Sequence, residues 1–357
     1  MIASAVQGVR RGAIRGRSHE LTVGEWLTEW LGRREREGLR EATLAAYRRY
    51  VRRDLAPSIG HIRLHDLRRN DVDQLLQRLG RDGRGATTIR LIHAVLSSAL
   101  SSALRLELVQ QNAASNVTLP RAETKKVRVW QPQEVARFLE LAEYHRLGAL
   151  FDLVVRTGLR RGEVAGLRWG DIDLRAGRIT VRRQRVQVDA RVVTNEAKTD
   201  HGQDRRVTLD RVAVARLLNW KQQQGRERAL WENQYHDDGW VFTYEDGRPL
   251  SPYYISQSFR SLVDRADLPH LTFHGLRHEH ASLLLAAGMP ITAVSKRLGH
   301  ASSAITSDLY SHLLDDIDRQ MADAIEGVLG TSSTGLHTRR THNADSESDD
   351  ADQAEDN

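Results

Sequence analysis

The sequence contains no cysteine among its 357 residues. Disulfide bonds, thiolate nucleophiles and zinc sites built on cysteine are therefore excluded. The absence of cysteine is typical of proteins in a reducing compartment, so we expect a cytoplasmic protein.

Long apolar runs are also missing. The first twenty residues, MIASAVQGVRRGAIRGRSHE, lack the apolar stretch of about 7 to 15 residues that a secretory signal peptide needs. No segment approaches the roughly 20 apolar residues that span a bilayer. The sequence thus predicts neither an exported nor a membrane-spanning protein.

Acidic residues are scarce over most of the chain. The formal net charge is +6, but residues 331–357 hold two arginines and seven acids, so residues 1–330 hold 51 basic and 40 acidic side chains and carry +11. This excess favours a polyanionic partner, because neutralised phosphates release condensed counterions. The acidic segment 331–357 has almost no apolar residues and is predicted to be a disordered tail.

Four amphipathic helices are predicted between residues 20 and 111. The first has a capping box formed by Thr22 and Glu25, the second covers residues 42–55, and the others follow Asn70 and run from Thr87 to about residue 109. The second helix carries four arginines on its polar side: Arg48, Arg49, Arg52 and Arg53. They suit either a solvated face or a surface for a phosphate backbone.

The rest of the chain predicts a second domain. Residues 1–19 form a basic tail, and the polar segment 112–127 is a linker. Helices resume at about 132–156, residues 178–209 are rich in β-forming segments that predict a small antiparallel sheet, and helices return from residue 211. A last helix over 315–329 has an apolar stripe that needs a partner surface.

TGLRRGE, residues 157–163, combines a turn with an arginine and a carboxylate. Gly158 permits a sharp turn, which predicts Arg160 in the first turn of the next helix with Glu163 three residues further on to hold it. An arginine held in this way offers a planar fork to a phosphate. By itself, the motif also fits an ordinary structural Arg–Glu pair.

HGLRHEH, residues 274–280, places His274 and Arg277 three residues apart on one helical face. A metal site is an alternative, because His278 could pair with His274 or with His280. We disfavour it because neither HExxH nor HxxEH is present and positions 278 and 280 do not share a helix face.

RLGHASSAITSDLYSHL, residues 297–313, places His300 ten residues before Tyr310. Alone, a tyrosine on a late helix is usually a packing residue. With the preceding residues the segment also fits a helix-turn-helix, so a non-catalytic DNA-binding regulator is a second hypothesis.

Together the motifs supply the groups that phosphodiester exchange by a tyrosine requires. Arginines neutralise the nonbridging oxygens of the transition state. Tyrosine, with an ordinary pKa of about 10, needs a proton acceptor, and the departing sugar oxygen needs a proton donor.

The ordered set TGLRRGE, a lysine between β segments, HGLRH, LGH and the tyrosine of LYSHL resembles the tyrosine recombinase family, specifically phage-type integrases, over about residues 20–329. The resemblance implies a mainly α fold with a small antiparallel β-sheet. It implies an N-terminal SAM-like four-helix core-binding domain at 20–111 and a tyrosine recombinase catalytic domain at 128–330, which close on DNA as a C-shaped clamp.

The resemblance also implies residue roles at the phosphate. Arg160 and Arg277 match the two phosphate-clamping arginines, and Glu163 matches the acid that supports the first. His300 matches the residue that hydrogen-bonds the phosphate.

The same resemblance implies three further residues for nucleophilic attack and proton transfer. Tyr310 matches the nucleophile that forms a 3′-phosphotyrosyl link, and His274 matches the histidine proposed to accept its proton. Lys198 matches the hairpin lysine that acts as general acid on the 5′ oxygen, although Lys221 lies nearby in sequence as an alternative.

The implied partners are double-stranded DNA attachment sites, a homotetramer that exchanges two duplexes through a Holliday junction, and accessory DNA-bending or directionality proteins. The implied reaction is DNA integration and recombination of a phage or mobile element, with no ATP, metal or other cofactor. A type IB topoisomerase-like enzyme shares this chemistry without paired sites and is a third hypothesis.

Two features depart from the family pattern. The basic tail is too short for the arm-binding domain that many integrases carry. Glu279 follows His278 where relatives more often have a small hydroxyl residue, and we expect it to be tolerated because it should face away from Arg277.

Overall fold

The computed structural model describes residues 20–121, 129–196, 204–299 and 325. Three predicted site residues, Lys198, His300 and Tyr310, lie outside the described residues, as do both predicted tails and all of the helix predicted over 315–329 except Ile325. No helix in the described ranges is long and apolar enough to cross a membrane.

The N-terminal part is built from helices, with an isolated antiparallel bridge between Thr22 and Arg63. The helices are α1 (Val23–Arg36), α2 (Glu41–Tyr50), α3 (Ala56–Ile59), α4 (Arg69–Arg81) and α5 (Ala86–Arg105). The predicted capping box begins α1: Glu25 N donates to Thr22 Oγ1 over 3.2 Å, and Thr22 N donates to Glu25 Oε2 over 2.8 Å. The apolar stripe of α1, with Trp26 and Trp30, is fully buried in the core that these helices share.

The second predicted helix does not end at residue 55. A π turn, Val51–Leu55, connects α2 directly to α3, and Ala56 N donates to Val51 O across it. Pro57 explains the wider turn, because a proline inside a helix lacks an N–H and its ring crowds the carbonyl four residues earlier.

Two helix boundaries were predicted wrongly. Asn70 does not cap α4, which begins at Arg69; instead Asp71 Oδ2 accepts from Arg68 N at 2.8 Å. Helix α5 ends at Arg105 rather than near 109, because Glu107 adopts a left-handed backbone with φ 59°.

The start of the predicted linker packs on the N-terminal helices. The Asn112 side chain donates to Ser97 O at 3.0 Å, and Ala113 and Ala114 are buried in the same core. The packed part of the N-terminal region therefore extends beyond residue 111.

The C-terminal part holds seven further α-helices in the described ranges, two short 3-10 helices (Trp169–Asp171 and Glu232–Gln234) and a second core. The helices are α6 (Pro132–Glu143), α7 (Gly148–Thr157), α8 (Arg161–Ala165), α9 (Arg211–Trp231), α10 (Pro252–Arg265), α11 (Gly275–Ala286) and α12 (Ile291–Leu298). Helix α7 is the most enclosed, and the ring of its Phe151 lies 5.9 Å from Phe259 of α10 and 6.4 Å from Phe273. This apolar core holds α7, α8, α10 and α11 in place relative to one another.

The β-rich region forms two small antiparallel sheets rather than one. Strands β1 (Ile172–Asp173), β2 (Arg178–Val181) and β5 (Arg205–Thr208) form the first in the order β1-β2-β5, and β3 (Arg183–Val188) pairs with β4 (Arg191–Glu196) in the second. The segment ITVRRQRVQV is therefore divided at Arg182. Val181 lies opposite Arg205 in the first sheet, which brings β5 beside the turn that leads into α8.

Candidate active site

The turn before α8 is built as the sequence predicts, with one shift. Gly158 ends α7 in the left-handed conformation, φ 65°, a geometry that glycine adopts without penalty. Arg160 is the N-cap of α8 rather than a residue of its first turn. Arg160 N donates to Glu163 Oε2 at 2.9 Å, and Arg160 Nη1 donates to Glu163 Oε1 at 2.8 Å.

Glu163 is a buried carboxylate between two arginines. It is 5% exposed, and its Oε2 also accepts from Nη2 of Arg205 at 2.8 Å. Burial alone would raise the pKa of Glu163, but the charges of Arg205 and Arg160 and the hydrogen bonds from Arg160 outweigh burial and hold this pKa below its usual range. The carboxylate is therefore ionised at neutral pH.

Arg277 is buried beside the turn that contains Gly158. It is 2% exposed on α11, and it donates from Nη1 to Gly158 O at 2.7 Å and from Nη2 to Leu298 O at 2.6 Å. Arg160 Nη2 donates to the adjacent carbonyl, Gly299 O, at 3.0 Å. Both predicted clamp arginines thus converge on the end of α12, next to His300 in the sequence.

His274 precedes α11 and faces an open groove. The groove has a volume of about 590 Å³, and its lining includes Arg160, Arg161 and Ser256 beside His274. The ring of His274 stands perpendicular to that of His278 at 5.0 Å between centroids. Partial burial of the ring, and then the positive charges of its neighbours, lowers the pKa of His274 to about 4, although the residue as a whole is exposed to solvent.

The pairing of His280 with His278 as metal ligands is not supported. His280 is buried; its Nδ1 lies 2.9 Å from Val155 O, and its Nε2 accepts from Arg297 Nε at 3.1 Å. Burial, followed by the charge of Arg297, lowers the pKa of His280 to about 4. Both ring nitrogens are occupied within the protein, so this histidine packs between α7 and α12.

Sequence reasoning missed Arg205. This residue begins β5, is 8% exposed, and donates to Leu298 O as well as to Glu163. A signal was present: in RRVTL the alternation of a strand places Arg205 on the same face as the buried Val207. A cation on the inward face of a strand needs an internal partner.

Lys221, the alternative to Lys198, lies away from the groove lining. It is on α9 with Nζ 5.2 Å from the Trp169 ring centroid, and it lines a different cavity together with Trp169. The role of Lys198 stays a prediction.

The four arginines of the second helix divide into two pairs. Arg48 is bound to Glu35 at 2.7 Å and Arg49 lies over the Tyr50 ring at 5.6 Å, whereas Arg52 and Arg53 are exposed within the π turn. The nearby acid, Asp54, points inward, where it is 4% exposed and paired with Arg84 at 2.7 Å. The one carboxylate of the π turn therefore does not neutralise the charges of Arg52 and Arg53.

Comparisons with known families agree with this architecture. Residues 128–316 match the phage integrase family, and residues 22–80 match the N-terminal SAM-like domain of phage integrases. A tyrosine recombinase XerC-like protein of Caldanaerobacter subterraneus subsp. tengcongensis is 25% identical over 340 residues, 90% of this chain and 86% of that protein. The ICEBs1 integrase of Bacillus subtilis is 27% identical over 261 residues, 72% of this chain and 70% of that protein.

Solved structures show the same fold. The Tn1549 transposon integrase in complex with a circular intermediate DNA has a TM-score of 0.73 at 19% identity, covering 85% of this chain and 99% of that one. A lambda integrase dimer bound to a core site has a TM-score of 0.63 at 19% identity, covering 81% of this chain and 95% of that one. The predicted fold class, a SAM-like helical domain with a mainly helical catalytic domain that carries small antiparallel sheets, is confirmed.

Proposed function

The chain belongs to the phage integrase family of tyrosine recombinases, and we propose that it is a site-specific DNA recombinase that cuts and rejoins DNA through a 3′-phosphotyrosyl intermediate. The reaction is integration or excision of a phage or mobile element. The Tn1549 and lambda integrases have been solved bound to DNA, which supports double-stranded DNA as the substrate here.

The observation that carries the proposal is the convergence of Arg160 and Arg277 at the end of α12, beside the groove that His274 lines. Both guanidinium groups are held by hydrogen bonds to main-chain carbonyls, which restricts their orientation before a phosphate binds. Preorganised cations of this kind stabilise the negative charge that builds on nonbridging oxygens during phosphoryl transfer.

The cleavage step balances without an external reagent. The Tyr310 oxygen forms a bond to phosphorus while the bond from phosphorus to the 5′ oxygen breaks. The tyrosine proton passes to His274, and Lys198 gives a proton to the departing 5′ oxygen. The phosphotyrosine keeps the energy of the phosphodiester, so rejoining by the reverse step needs no ATP, and the arginines supply the charge that a metal ion would otherwise provide.

The state of His274 suits a proton acceptor. Because its pKa is about 4, the imidazole is neutral at pH 7 and has a free electron pair for the tyrosine proton. A bound phosphate adds negative charge beside the ring and raises its basicity when the proton is transferred.

The N-terminal domain, residues 20–111, supplies the second DNA-binding surface through Arg48, Arg49, Arg52 and Arg53. Residues 128–330 form the catalytic domain, and the linker predicted at 112–127 begins after the residues, among them Ala113 and Ala114, that pack on the N-terminal helices. Recombination of two duplexes requires four protomers, and accessory DNA-bending or directionality proteins set which sites are joined.

A nicked suicide duplex tests the proposal. A pool of such duplexes with a randomised central segment is incubated with the protein in EDTA, and covalent adducts are isolated under denaturing conditions. We expect adducts from the wild type, none from Tyr310→Phe, and the nucleotide on Tyr310 in the digested adduct.

Three outcomes would contradict the proposal. Equal adduct from Tyr310→Phe would remove the tyrosine from the mechanism. Tight DNA binding with no adduct under any condition would identify a regulator. Relaxation of a supercoiled plasmid that lacks any enriched site would identify a topoisomerase.

A further inference from the structure

Arg205 connects the two clamp arginines, although neither the motifs nor the matched family roles include it. Its guanidinium donates from Nη2 to Glu163 Oε2 at 2.8 Å and from Nη1 to Leu298 O. Glu163 is the carboxylate that holds Arg160, and Leu298 O is the carbonyl that holds Arg277. One side chain therefore touches the anchor of each.

The fold is shaped around this guanidinium. Gly299 adopts φ 69°, and a Cβ at this position would overlap Nη1 of Arg205 and lie 3.1 Å from its Cδ. This contact explains why the LGH motif has a glycine at position 299, since any side chain there would displace Arg205. The main chain of Arg205 is in turn fixed by the pairing of β5 with β2, in which it lies opposite Val181.

Charge balance gives Arg205 a second effect. Glu163 carries one negative charge and is shared by two guanidinium groups. Without Arg205 the carboxylate would pair with Arg160 alone and cancel most of its charge. With Arg205 present, the carboxylate orients Arg160 while the group keeps a net positive charge for a phosphate.

Arg205 is poorly explained as a residue selected for stability. Burial lowers the pKa of its guanidinium, and the attraction of Glu163 only partly opposes this. Its Nε is buried without a hydrogen-bond partner among the described residues. A buried cation with an unsatisfied donor costs folding free energy, which is typical of a functional position.

We propose that Arg205 is a positioning residue for the recombination reaction, which sets the orientation and charge of Arg160 through Glu163 and fixes Arg277 through the Leu298 carbonyl. This inference rests on the proposed function. Arg205 itself does not touch the scissile phosphate in this role.

Single-turnover cleavage of the enriched suicide duplex, with protein in excess, tests the role. The neighbouring Arg206 supplies the matched control, because it is exposed on the opposite face of β5 and carries the same charge. We expect Arg205→Met to slow adduct formation by about 100-fold at saturating protein, as a misplaced catalytic geometry does. Arg206→Met keeps the wild-type rate constant, and the two variants bind the duplex with equal affinity.

The rate constant separates positioning from folding. Unfolded molecules lower the final adduct yield and leave the rate constant of the remaining molecules unchanged. Arg205→Lys, which keeps the charge but loses the planar fork, provides a milder variant if Arg205→Met does not fold, and we expect a slower rate for it too. In a Glu163→Gln background, Arg205→Met should cost less than in the wild type, because the part of its effect that passes through Glu163 is already lost.

The failures are distinguishable. An Arg205→Met protein with the wild-type rate constant and a reduced yield would assign Arg205 to folding alone and overturn the inference. Additive effects of Arg205→Met and Glu163→Gln would remove the link through Glu163. A wild-type protein that forms no adduct would overturn the proposed function itself.

Discussion

The main-chain nitrogen of Trp130 donates a 2.7 Å hydrogen bond to Oε2 of Glu279, across 149 residues of sequence. Glu279 is 1% exposed, and Arg277, two residues earlier on α11, donates to other groups, the carbonyls of Gly158 and Leu298. The acid that departs from the family pattern therefore faces away from Arg277, as the sequence predicts. It holds the residues that precede α6 against the helix that carries the site.

Glu279 should make folding stability depend on pH near neutrality. Burial raises the pKa of Glu279 to about 7, and the bond from Trp130 offsets burial only in part. Between the ordinary pKa of about 4.5 and this value the folded state binds a proton that the unfolded state does not, so the free energy of unfolding falls as pH rises. The loss from pH 5 to pH 8 is about 3 kcal/mol at most. Urea unfolding at several pH values measures it.

Glu279→Gln is the matched variant for this measurement. Glutamine keeps an acceptor for Trp130 N but does not ionise, so this part of the pH dependence should disappear. His274 and His280, with pKa values of about 4, act in the opposite direction, because their folded states resist protonation and lose stability as pH falls below about 6.5. They are present in both proteins and cancel in the difference. A wild-type minus variant difference that does not change with pH would contradict the prediction.

Arg84→Ala should be strongly destabilising. It would leave Asp54, 4% exposed in the π turn, without its 2.7 Å partner. Removing one partner of a fully buried pair costs about 3 to 5 kcal/mol, because a desolvated charge is left uncompensated. Arg84 is itself 37% exposed, so solvent screens part of the charge and the cost should lie below that range. Denaturant unfolding followed by circular dichroism gives the free energy of unfolding directly.

Arg216→Ala is the control for this substitution. The side chains of Arg216 and Arg84 are similarly exposed, 34% and 37%, but the partner of Arg216 is Glu143, which is 51% exposed. Solvent can replace the lost partner there, so the loss should be much smaller. Equal losses from the two substitutions would show that the burial of Asp54 does not decide the cost.

Local signals in the sequence predicted local structure well. The capping box of Thr22 and Glu25 and the bond between Arg160 and Glu163 each join residues three apart, and a helix turn fixes such spacings. The sharp turn at Gly158 was likewise predicted, and the structure shows that this glycine takes the left-handed conformation. The cap of α4 failed because Asn70 and Asp71 both suit a helix start, and only the fold selects between them.

Long-range contacts in the candidate site escaped prediction. The bond from Arg205 to Glu163 joins residues 42 apart, and that from Arg277 to Gly158 joins residues 119 apart. No periodicity encodes which carbonyl a distant arginine reaches. The division of the β region into two sheets at Arg182 could not be predicted for the same reason. The alternation of side chains continues through the segment, and only the pairing of the strands decides where one sheet ends.

Gly158→Ala should lower both stability and activity. An added Cβ would lie 2.6 Å from Leu298 Cδ2 and 2.8 Å from His280 Cδ2, on a residue with φ 65°. The left-handed backbone costs about 1 kcal/mol, and the overlap adds about 1 to 3 kcal/mol. Because Gly158 O also holds Arg277, the rate of adduct formation should fall as well.

Gly38→Ala isolates the backbone part of this cost. Gly38 has φ 78°, and nothing lies within 4 Å of an added Cβ. We expect it to lose only about 1 kcal/mol and to leave adduct formation unchanged. Thermal unfolding of both variants, with adduct kinetics, compares them; a Gly158→Ala protein as stable as Gly38→Ala would show that Leu298 and His280 move aside without cost.

Arg52 and Arg53 should contribute to DNA affinity more than Arg48 does. They are exposed in the π turn, whereas Arg48 is already bound to Glu35 at 2.7 Å and must give up that partner to reach a phosphate. Each phosphate contact contributes about 0.9 to the slope of log affinity against log salt concentration. The double substitution Arg52→Ala with Arg53→Ala should therefore reduce the slope by up to about 1.8, while Arg48→Ala changes it less. Fluorescence anisotropy on one duplex at several NaCl concentrations measures the slopes, and an unchanged slope in the double variant would assign this face to solvent rather than to DNA.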